Sequence, residues 1–188
     1  KAGFDNISCD FMLGLAGQSM ESLNETIDRI TALPIKHISA YMLKIEQGTA
    51  FDNNTVRKAV ADDDKVSDMY LNTVQRLEKL GFEQYEISNF AKPGYECRHN
   101  TGYWKRADYL GVGLGAASLI GNVRYSNTDD MSEYRKEPQS VATKEQILRE
   151  AQMEEFMFLG LRMVDGFNRD EFKRAFGVAI EGIYGDIL

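Results

Sequence analysis

A strand–helix–strand pattern near the start of the chain constrains its fold more than any other sequence feature. Residues 6–15 form a nearly continuous apolar run, which is typical of a strand buried on both faces in a parallel sheet. Ser19 is placed to cap a helix that extends through Ala32, and a second apolar run follows at residues 37–43. This spacing predicts a right-handed βαβ unit.

The same pattern repeats once and then stops. Residues 62–64 supply an N-cap and first-turn carboxylates for a helix that ends before Gly81. Residues 82–88 predict a third strand. Beyond Pro93 the chain is polar and loop-like, and the glycine-rich stretch 111–115 follows. The regular α/β alternation therefore ends after the third strand.

Two capping-box patterns predict helices near the end of the chain. Residues 143–146 (Thr-Lys-Glu-Gln) predict the start of a long helix, and residues 168–171 predict a shorter helix that ends at Gly177. We therefore predict an α/β part over residues 1–138 and a small helical part over residues 139–188.

The charge of the chain argues against nucleic acid as a partner. The formal net charge is −7, whereas nonspecific nucleic-acid binding depends on Lys and Arg residues that neutralise phosphates. No apolar run reaches the roughly 20 residues that cross a bilayer, so we expect no transmembrane segment and a cytoplasmic protein. Cys9 and Cys97 are too far apart in sequence to form a metal-binding cluster, and we expect both to be ordinary thiols.

Asp10 is the first candidate binding residue. It precedes the apolar residues 11–13, where an unpaired carboxylate would be costly to bury, so it requires a partner. One interpretation is a hydrogen bond to neighbouring backbone or to an arginine at the strand edge. The other is that Asp10 accepts hydrogen bonds from the hydroxyl groups of a ligand. Parallel α/β scaffolds place ligands around strand carboxyl ends and in loops such as residues 14–18.

Residues 96–104 (Glu-Cys-Arg-His-Asn-Thr-Gly-Tyr-Trp) concentrate a thiol, a guanidinium, an imidazole and the only tryptophan of the chain. A neutral imidazole such as that of His99 can ligate haem iron, and Tyr103 and Trp104 offer flat faces to a macrocycle. The alternative is structural. In that case His99 and Asn100 cap a loop, and Tyr103 and Trp104 anchor it to the core.

Residues 111–116 formally satisfy the dinucleotide-binding fingerprint if Ala116 replaces its last glycine. Residues 118–126 look like irregular chain and strand, however, rather than the helix that should hold a pyrophosphate. We therefore favour a close backbone approach, either to a neighbouring strand or to the adenine and ribose of a ligand.

Taken in order, several segments resemble the HemN-like family, which contains the oxygen-independent coproporphyrinogen III oxidases and the HemW proteins. The segments that carry the resemblance are residues 10–19, 85–91, 99–104 and 108–113. Separate motifs that agree in order and spacing are more specific than a single glycine-rich loop.

The resemblance implies an α/β fold. It would be the C-terminal part of a partial (βα) barrel with parallel strands, of the radical S-adenosylmethionine (SAM) type, followed by a truncated small helical, winged-helix-like domain. The motif at residues 99–104 is similar to that of the HemW branch, described as haem chaperones, where it is associated with haem binding. A [4Fe-4S] cluster and SAM are implied for the longer parent protein. The cluster cysteines would lie upstream, so we predict that this chain holds no cluster and is inactive by itself.

The resemblance also implies roles for individual residues. Residues assigned to SAM are Asp10, Lys44 and Ala117, and residues assigned to haem are His99 as iron ligand with Tyr103 and Trp104 against the ring. No catalytic residue is implied. Two positions depart from the family pattern, because Ala16 stands where proline is usual and Ala117 stands where many chaperone-type members have histidine.

Three functions remain open from the sequence. The first is a haem-binding protein that delivers haem to an acceptor protein. The second is a parent enzyme that oxidatively decarboxylates coproporphyrinogen III to protoporphyrinogen IX, with a porphyrinogen as its ligand. The third is a non-catalytic interaction domain in which the His99 segment is purely structural.

Overall fold

The structure, a computed structural model, describes residues 3–185. The chain divides into two compact units, and the division falls between Cys97 and Arg98. Each unit has its own sheet and its own hydrophobic core. Position 138 lies within the second unit, and the domain boundary predicted there stays a prediction.

The first unit is a four-stranded sheet with helices packed against one face. Its strand order is β1-β2-β4-β3. The α/β class predicted from the sequence is confirmed. The elements are β1 (Ser8–Leu13), α1 (Met20–Thr31), β2 (His37–Met42), α2 (Asn54–Ala59), α3 (Asp63–Lys79), β3 (Glu83–Glu86) and β4 (Asn89–Ala91).

The predicted βαβ unit is confirmed, since β1 and β2 pair in parallel and α1 connects them. Ser19 caps α1 as expected. Its side chain accepts a hydrogen bond from the backbone N–H of Ser22, and the Ser22 side chain accepts one from the backbone of Ser19. Asp62 caps α3 in the same way by accepting from the backbone N–H of Lys65 at 2.9 Å.

The expectation that β1 is buried on both faces is wrong. Phe11 and Leu13 are buried, whereas Asp10 and Met12, which alternate with them, are exposed. The covered face packs against α1 and α3, so that Leu23 and Leu77 join Leu13 in one core. The other face of β1 is therefore available for polar groups, because successive strand residues point to opposite sides of a sheet.

The third strand is shorter than predicted, and the sheet is mixed. Residues 82–88 were expected to form one strand, but β3 ends at Glu86 and the chain reverses into β4. The Glu86 carboxylate supports this reversal by accepting from the backbone N–H of Ser88 at 3.0 Å. β4 then inserts between β2 and β3 and is antiparallel to both. In a segment this short, the sequence does not show whether the residues form one strand or two strands joined by a tight turn. Only pairing with distant strands decides between these structures.

The second unit combines a three-stranded antiparallel sheet, in the order β5-β6-β7, with helices. Its second core contains Met153, Phe172, Phe176 and Ile180. The elements are α4 (Arg98–Trp104), β5 (Ala117–Ile120), β6 (Val123–Asn127), α5 (Met131–Lys136), β7 (Val141–Gln146), α6 (Arg149–Gly160), α7 (Arg169–Phe176) and α8 (Glu181–Tyr184).

One of the two predicted capping boxes is wrong. Residues 143–146 belong to β7, where the Thr143 hydroxyl lies 2.6 Å from that of Ser126 on the neighbouring strand, and α6 starts only at Arg149. A Thr-x-x-Gln pattern suits an edge strand as well as a helix start, and pairing with β6 decides between them. The helix predicted from the second box is confirmed, because Asn168 caps α7 by accepting from the backbone N–H of Asp170 and Gly177 ends it with φ of 69°.

No helix within residues 3–185 is both long and apolar enough to cross a membrane.

Candidate functional site

The face of the first sheet that carries Asp10 has a continuous polar row. Asp10 on β1 is opposite Ser39 on β2, Ser39 is opposite Asn89 on β4, and Asn89 is opposite Glu86 on β3. Residues opposite each other in neighbouring strands point to the same face. The row, called here the Asp10 row, therefore presents two carboxylates, an amide and a hydroxyl on one side of the sheet.

Asp10 itself is exposed, so its carboxylate needs no protein partner to offset burial. Two acceptors at the far end of the row are different. Glu86 is fully buried and Asn89 is 3% exposed, yet Glu86 Oε2 and Asn89 Oδ1 lack a hydrogen-bond partner. The other Glu86 oxygen accepts from the side-chain amide of Asn89. Buried acceptors are almost always paired, so this surplus favours a binding partner with hydrogen-bond donors.

A histidine that the sequence interpretation did not assign lies on the same face. His37 Nδ1 is 2.8 Å from the Ser8 hydroxyl, and its Nε2 is 2.7 Å from the Tyr85 hydroxyl. Burial lowers the pKa of His37 below its ordinary value, and the nearby negative charge of Asp10 opposes that shift. The sequence signal that could have indicated this polar face is the presence of His37 and Ser39 within an otherwise apolar strand.

Lys44 follows the carboxyl end of β2 and is exposed. Its ammonium group lies 2.9 Å from the Glu46 carboxylate. At the carboxyl end of β1, the side chain of Gln18 closes the loop 14–18 by accepting from the backbone N–H of Gly14 at 2.8 Å and donating to the carbonyl of Met12 at 3.0 Å. Asp10, Lys44 and this loop therefore all belong to the first unit.

Ala117 lies in the second unit, exposed at the start of β5. The glycine-rich stretch before it makes the close backbone approach that was favoured over a dinucleotide site. A Cβ added at Gly111 would lie 2.1 Å from the carbonyl oxygen of Ala117. The side chain of Asn127 donates to the carbonyl of Gly113 at 2.8 Å, and β5 follows instead of a helix. The stretch therefore approaches a neighbouring strand.

His99 lies on α4, and residues 98–104 form a helix rather than the predicted loop. The imidazole is exposed. Its ring is edge-on to that of Tyr103, with centroids 4.5 Å apart, because the i,i+4 spacing puts both side chains on one face of the helix. Tyr103 in turn is edge-on to Tyr109 at 4.6 Å. The contact with Tyr103 covers one side of the imidazole, and the residue is otherwise exposed.

Trp104 projects from a different side of α4, about 100° around the helix from Tyr103. The guanidinium group of Arg162 lies over its ring, 4.2 Å from the centroid. The indole Nε1 is buried and lacks a hydrogen-bond partner. The structure therefore brings His99 and Tyr103 together and places Trp104 in separate surroundings.

Ion pairs to the buried carboxylate of Glu155 hold the segment that follows α4. Arg106 donates to one oxygen of Glu155 at 2.7 Å, and Arg124 donates to the other at 2.7 Å. Burial would raise the pKa of Glu155, but the hydrogen bonds and charges of the two arginines outweigh it and lower that pKa below the ordinary carboxyl value. Arg106 also donates to the side chain of Asn122 at 2.7 Å. These contacts connect the segment after α4 to β6 and α6.

Comparison with known proteins identifies the family. Residues 147–188 match the HemN C-terminal domain family. The "Heme chaperone HemW" of Lactococcus lactis subsp. lactis (strain IL1403) is 36% identical over 190 residues, which cover 99% of this chain and 50% of that protein. The "Heme chaperone HemW" of Bacillus subtilis (strain 168) is 35% identical, with 99% of this chain and 51% of that protein covered. The chain resembles the HemN/HemW family over nearly its whole length.

The HemN/HemW fold extends over nearly the whole chain. A solved structure of coproporphyrinogen III oxidase (HemN) from Escherichia coli, a radical SAM enzyme, matches with a TM-score of 0.77 over 95% of this chain and 45% of that chain. At 15% identity, this likeness concerns the fold alone. The chain spans about half the length of the curated relatives it matches.

The described part of the chain, residues 3–185, has no group of three or more His, Cys, Asp or Glu side chains placed to hold a metal ion. Cys9 and Cys97 are free thiols of intermediate exposure. That the cluster cysteines lie outside this chain stays a prediction.

Proposed function

We propose that this chain is part of a haem-trafficking protein of the HemW type, in which His99 binds haem iron. The observation that carries the proposal is the exposed imidazole of His99, held edge-on by Tyr103. A neutral imidazole nitrogen is a common axial ligand of haem iron. The contact with Tyr103 restrains the ring while the residue as a whole stays exposed.

The surroundings of His99 suit a flat ring. Gly102 lies between His99 and Tyr103 on α4, and a Cβ added there would meet nothing within 4 Å. Open space beside a ligating imidazole is what a macrocycle requires. Tyr103 offers an aromatic edge for packing against the porphyrin ring. Trp104 is proposed as a separate contact to the same ring.

The names of the relatives favour the chaperone over the oxidase. Proteins named "Heme chaperone HemW" are 36% and 35% identical to nearly the whole chain. The oxidase interpretation has support from a fold likeness at 15% identity, and fold transfers between functions. Haem is therefore the proposed ligand rather than a porphyrinogen, with an acceptor protein as the proposed partner and the cytoplasm as the proposed location.

The proposal includes SAM in the parent protein, next to a [4Fe-4S] cluster held by residues outside this chain. A reduced cluster with bound SAM supplies a hydrogen-abstracting radical. Within this chain the acceptor groups of the Asp10 row fit the hydroxyl and amino donors of SAM. Lys44 and Ala117 are also proposed as SAM contacts.

Haem titration of the chain and its two single-histidine variants tests the proposal. The chain has only two histidines, so His99→Ala and His37→Asn remove each in turn. We expect His99→Ala to shift the Soret band and weaken binding, and His37→Asn to behave as the unaltered chain, with folding checked by circular dichroism. An unchanged band and affinity in His99→Ala would exclude His99 as the ligand. If neither variant loses haem binding, a purely structural role for the His99 segment is favoured.

A further inference from the structure

A cavity of about 510 Å³ opens beside α6 and α7 in the second unit. Ligand pockets of proteins commonly have volumes of about 300–1,000 Å³. Gly160 makes room for one wall, because a Cβ there would lie 2.9 Å from Phe167. His99 is not among the residues that line this cavity, which is called here the α6–α7 cavity.

Rigid aromatic side chains form the walls of the α6–α7 cavity. Trp104, Phe156 and Phe167 line it, together with the thioether of Met163. Phe156 is edge-on to Phe167 with centroids 5.6 Å apart, and the Arg162 guanidinium packs on Trp104. Side chains held in this way do not rearrange to fill the space, so the cavity favours a flat, apolar occupant.

The polar groups around the α6–α7 cavity are mainly positive. Lys105 and Arg174 line it against the single carboxylate of Glu171, in a chain whose net charge is −7. One buried donor of a lining residue, Trp104 Nε1, also lacks a hydrogen-bond partner. A local excess of cations and an unpaired donor complement an occupant with carboxylates or other acceptors.

We propose that the α6–α7 cavity binds a carboxylate-bearing tetrapyrrole by packing on its ring and pairing with its carboxylates, without a bond to iron. This inference rests on the proposed haem-handling function and adds a second site to it. The flat walls contact the macrocycle, and Lys105 and Arg174 pair with its acidic side chains. Iron coordination by His99 and ring binding in the cavity are then separable properties of the chain.

Titration with metal-free protoporphyrin IX tests the cavity, with the fluorescence of Trp104, the only tryptophan, as the reporter. We expect saturable quenching in the unaltered chain. Arg174→Glu should weaken binding about fivefold, since an exposed charge pair contributes at most about 1 kcal/mol. Ala175→Tyr fills the cavity from an exposed helix position and should abolish quenching. Arg135→Glu, an exposed cation on α5, is the matched control and should bind as the unaltered chain.

Protoporphyrin IX dimethyl ester, which lacks free carboxylates, sharpens the test. The ester should bind the unaltered chain more weakly than the free acid does. Its affinity for Arg174→Glu should equal its affinity for the unaltered chain. Equal binding of the free acid to Arg174→Glu and the unaltered chain would overturn the carboxylate pairing. Quenching that persists in Ala175→Tyr would overturn the cavity as the site.

The His99→Ala variant separates this inference from the proposed function. Unchanged protoporphyrin binding in that variant supports an independent cavity, whether or not haem loses its iron ligand. Loss of protoporphyrin binding in His99→Ala would overturn the inference. Self-association of the chain that Ala175→Tyr abolishes, without any quenching by protoporphyrin, would assign the cavity to a second copy and also overturn it.

Discussion

The Asp10 row and the edge-on pair of His99 and Tyr103, called here the His99 stack, are held in place in different ways. The Asp10 row follows from strand register, because each of its residues occupies a paired position in a continuous sheet. The His99 stack lies on a helix of seven residues, α4, which is too short to be stable alone. Its surroundings depend on the ion pairs of Glu155 with Arg106 and Arg124. A site of the first kind tolerates changes to single side chains better than one of the second kind.

The largest expected effect comes from Glu155→Gln. It leaves two arginines without their carboxylate, of which Arg106 is 12% exposed. We expect the free energy of unfolding of the second unit to fall by about 3 kcal/mol, since breaking a buried ion pair leaves an uncompensated charge. Chemical denaturation followed by Trp104 fluorescence measures it. Glu154→Gln, at the exposed neighbouring position, is the control, and a loss as large there would contradict the argument.

The pH dependence of stability should separate the two regions. The pKa of Glu155 is lowered from 4.5, so its contribution is present above that value and is lost as the pH falls through the lower, folded-state pKa. The pKa of His37 is lowered from 6.5, so the first unit should lose stability as the pH falls below 6.5. Two-dimensional NMR of each unit during acid titration tests this order. If the two units of the unaltered chain lose their NMR signals over the same pH range, the order is contradicted. If the second unit loses its signals over the same pH range in Glu155→Gln as in the unaltered chain, the contribution of Glu155 is contradicted.

Tyr103→Leu should have an intermediate effect, on the His99 stack alone. Edge-on aromatic contacts contribute about 1 kcal/mol, so losing the contact with His99 should weaken haem binding about fivefold. Haem titration by absorbance measures the change. Tyr134→Leu, on α5, serves as the matched control and should bind haem as the unaltered chain. Equal weakening in both variants would show that Tyr103 has no specific role.

The smallest effect on stability is expected for Asp10→Asn. Asp10 is exposed, and strand register alone determines the face of the sheet on which it lies. Surface substitutions usually change the free energy of unfolding by less than about 0.5 kcal/mol. Calorimetric titration with SAM should nevertheless show weaker binding, since a carboxylate acceptor becomes an amide. A loss of stability comparable to that of Glu155→Gln would remove the contrast between the two regions.

Much of the first unit could be predicted from sequence because its signals are local. The Ser19 cap of α1 closes within three residues, and Asp62 caps α3 over the same span. In the second unit, Asn168 and Gly177 likewise mark the start and the end of α7. Hydrogen bonds between near neighbours in sequence depend on residue type and spacing, which a sequence displays directly.

The sequence alone thus determined the βαβ order, the ends of α1, α3 and α7 and the identity of the residues proposed to bind SAM and haem. Tertiary structure decided the insertion of β4, the strand at residues 143–146 and the alignment of Asp10 with Glu86 across the sheet. It also decided the pairing of Arg106 with Glu155, which are 49 positions apart. Each of these depends on which distant partner a short segment meets, and loop closure makes that choice a property of the whole fold.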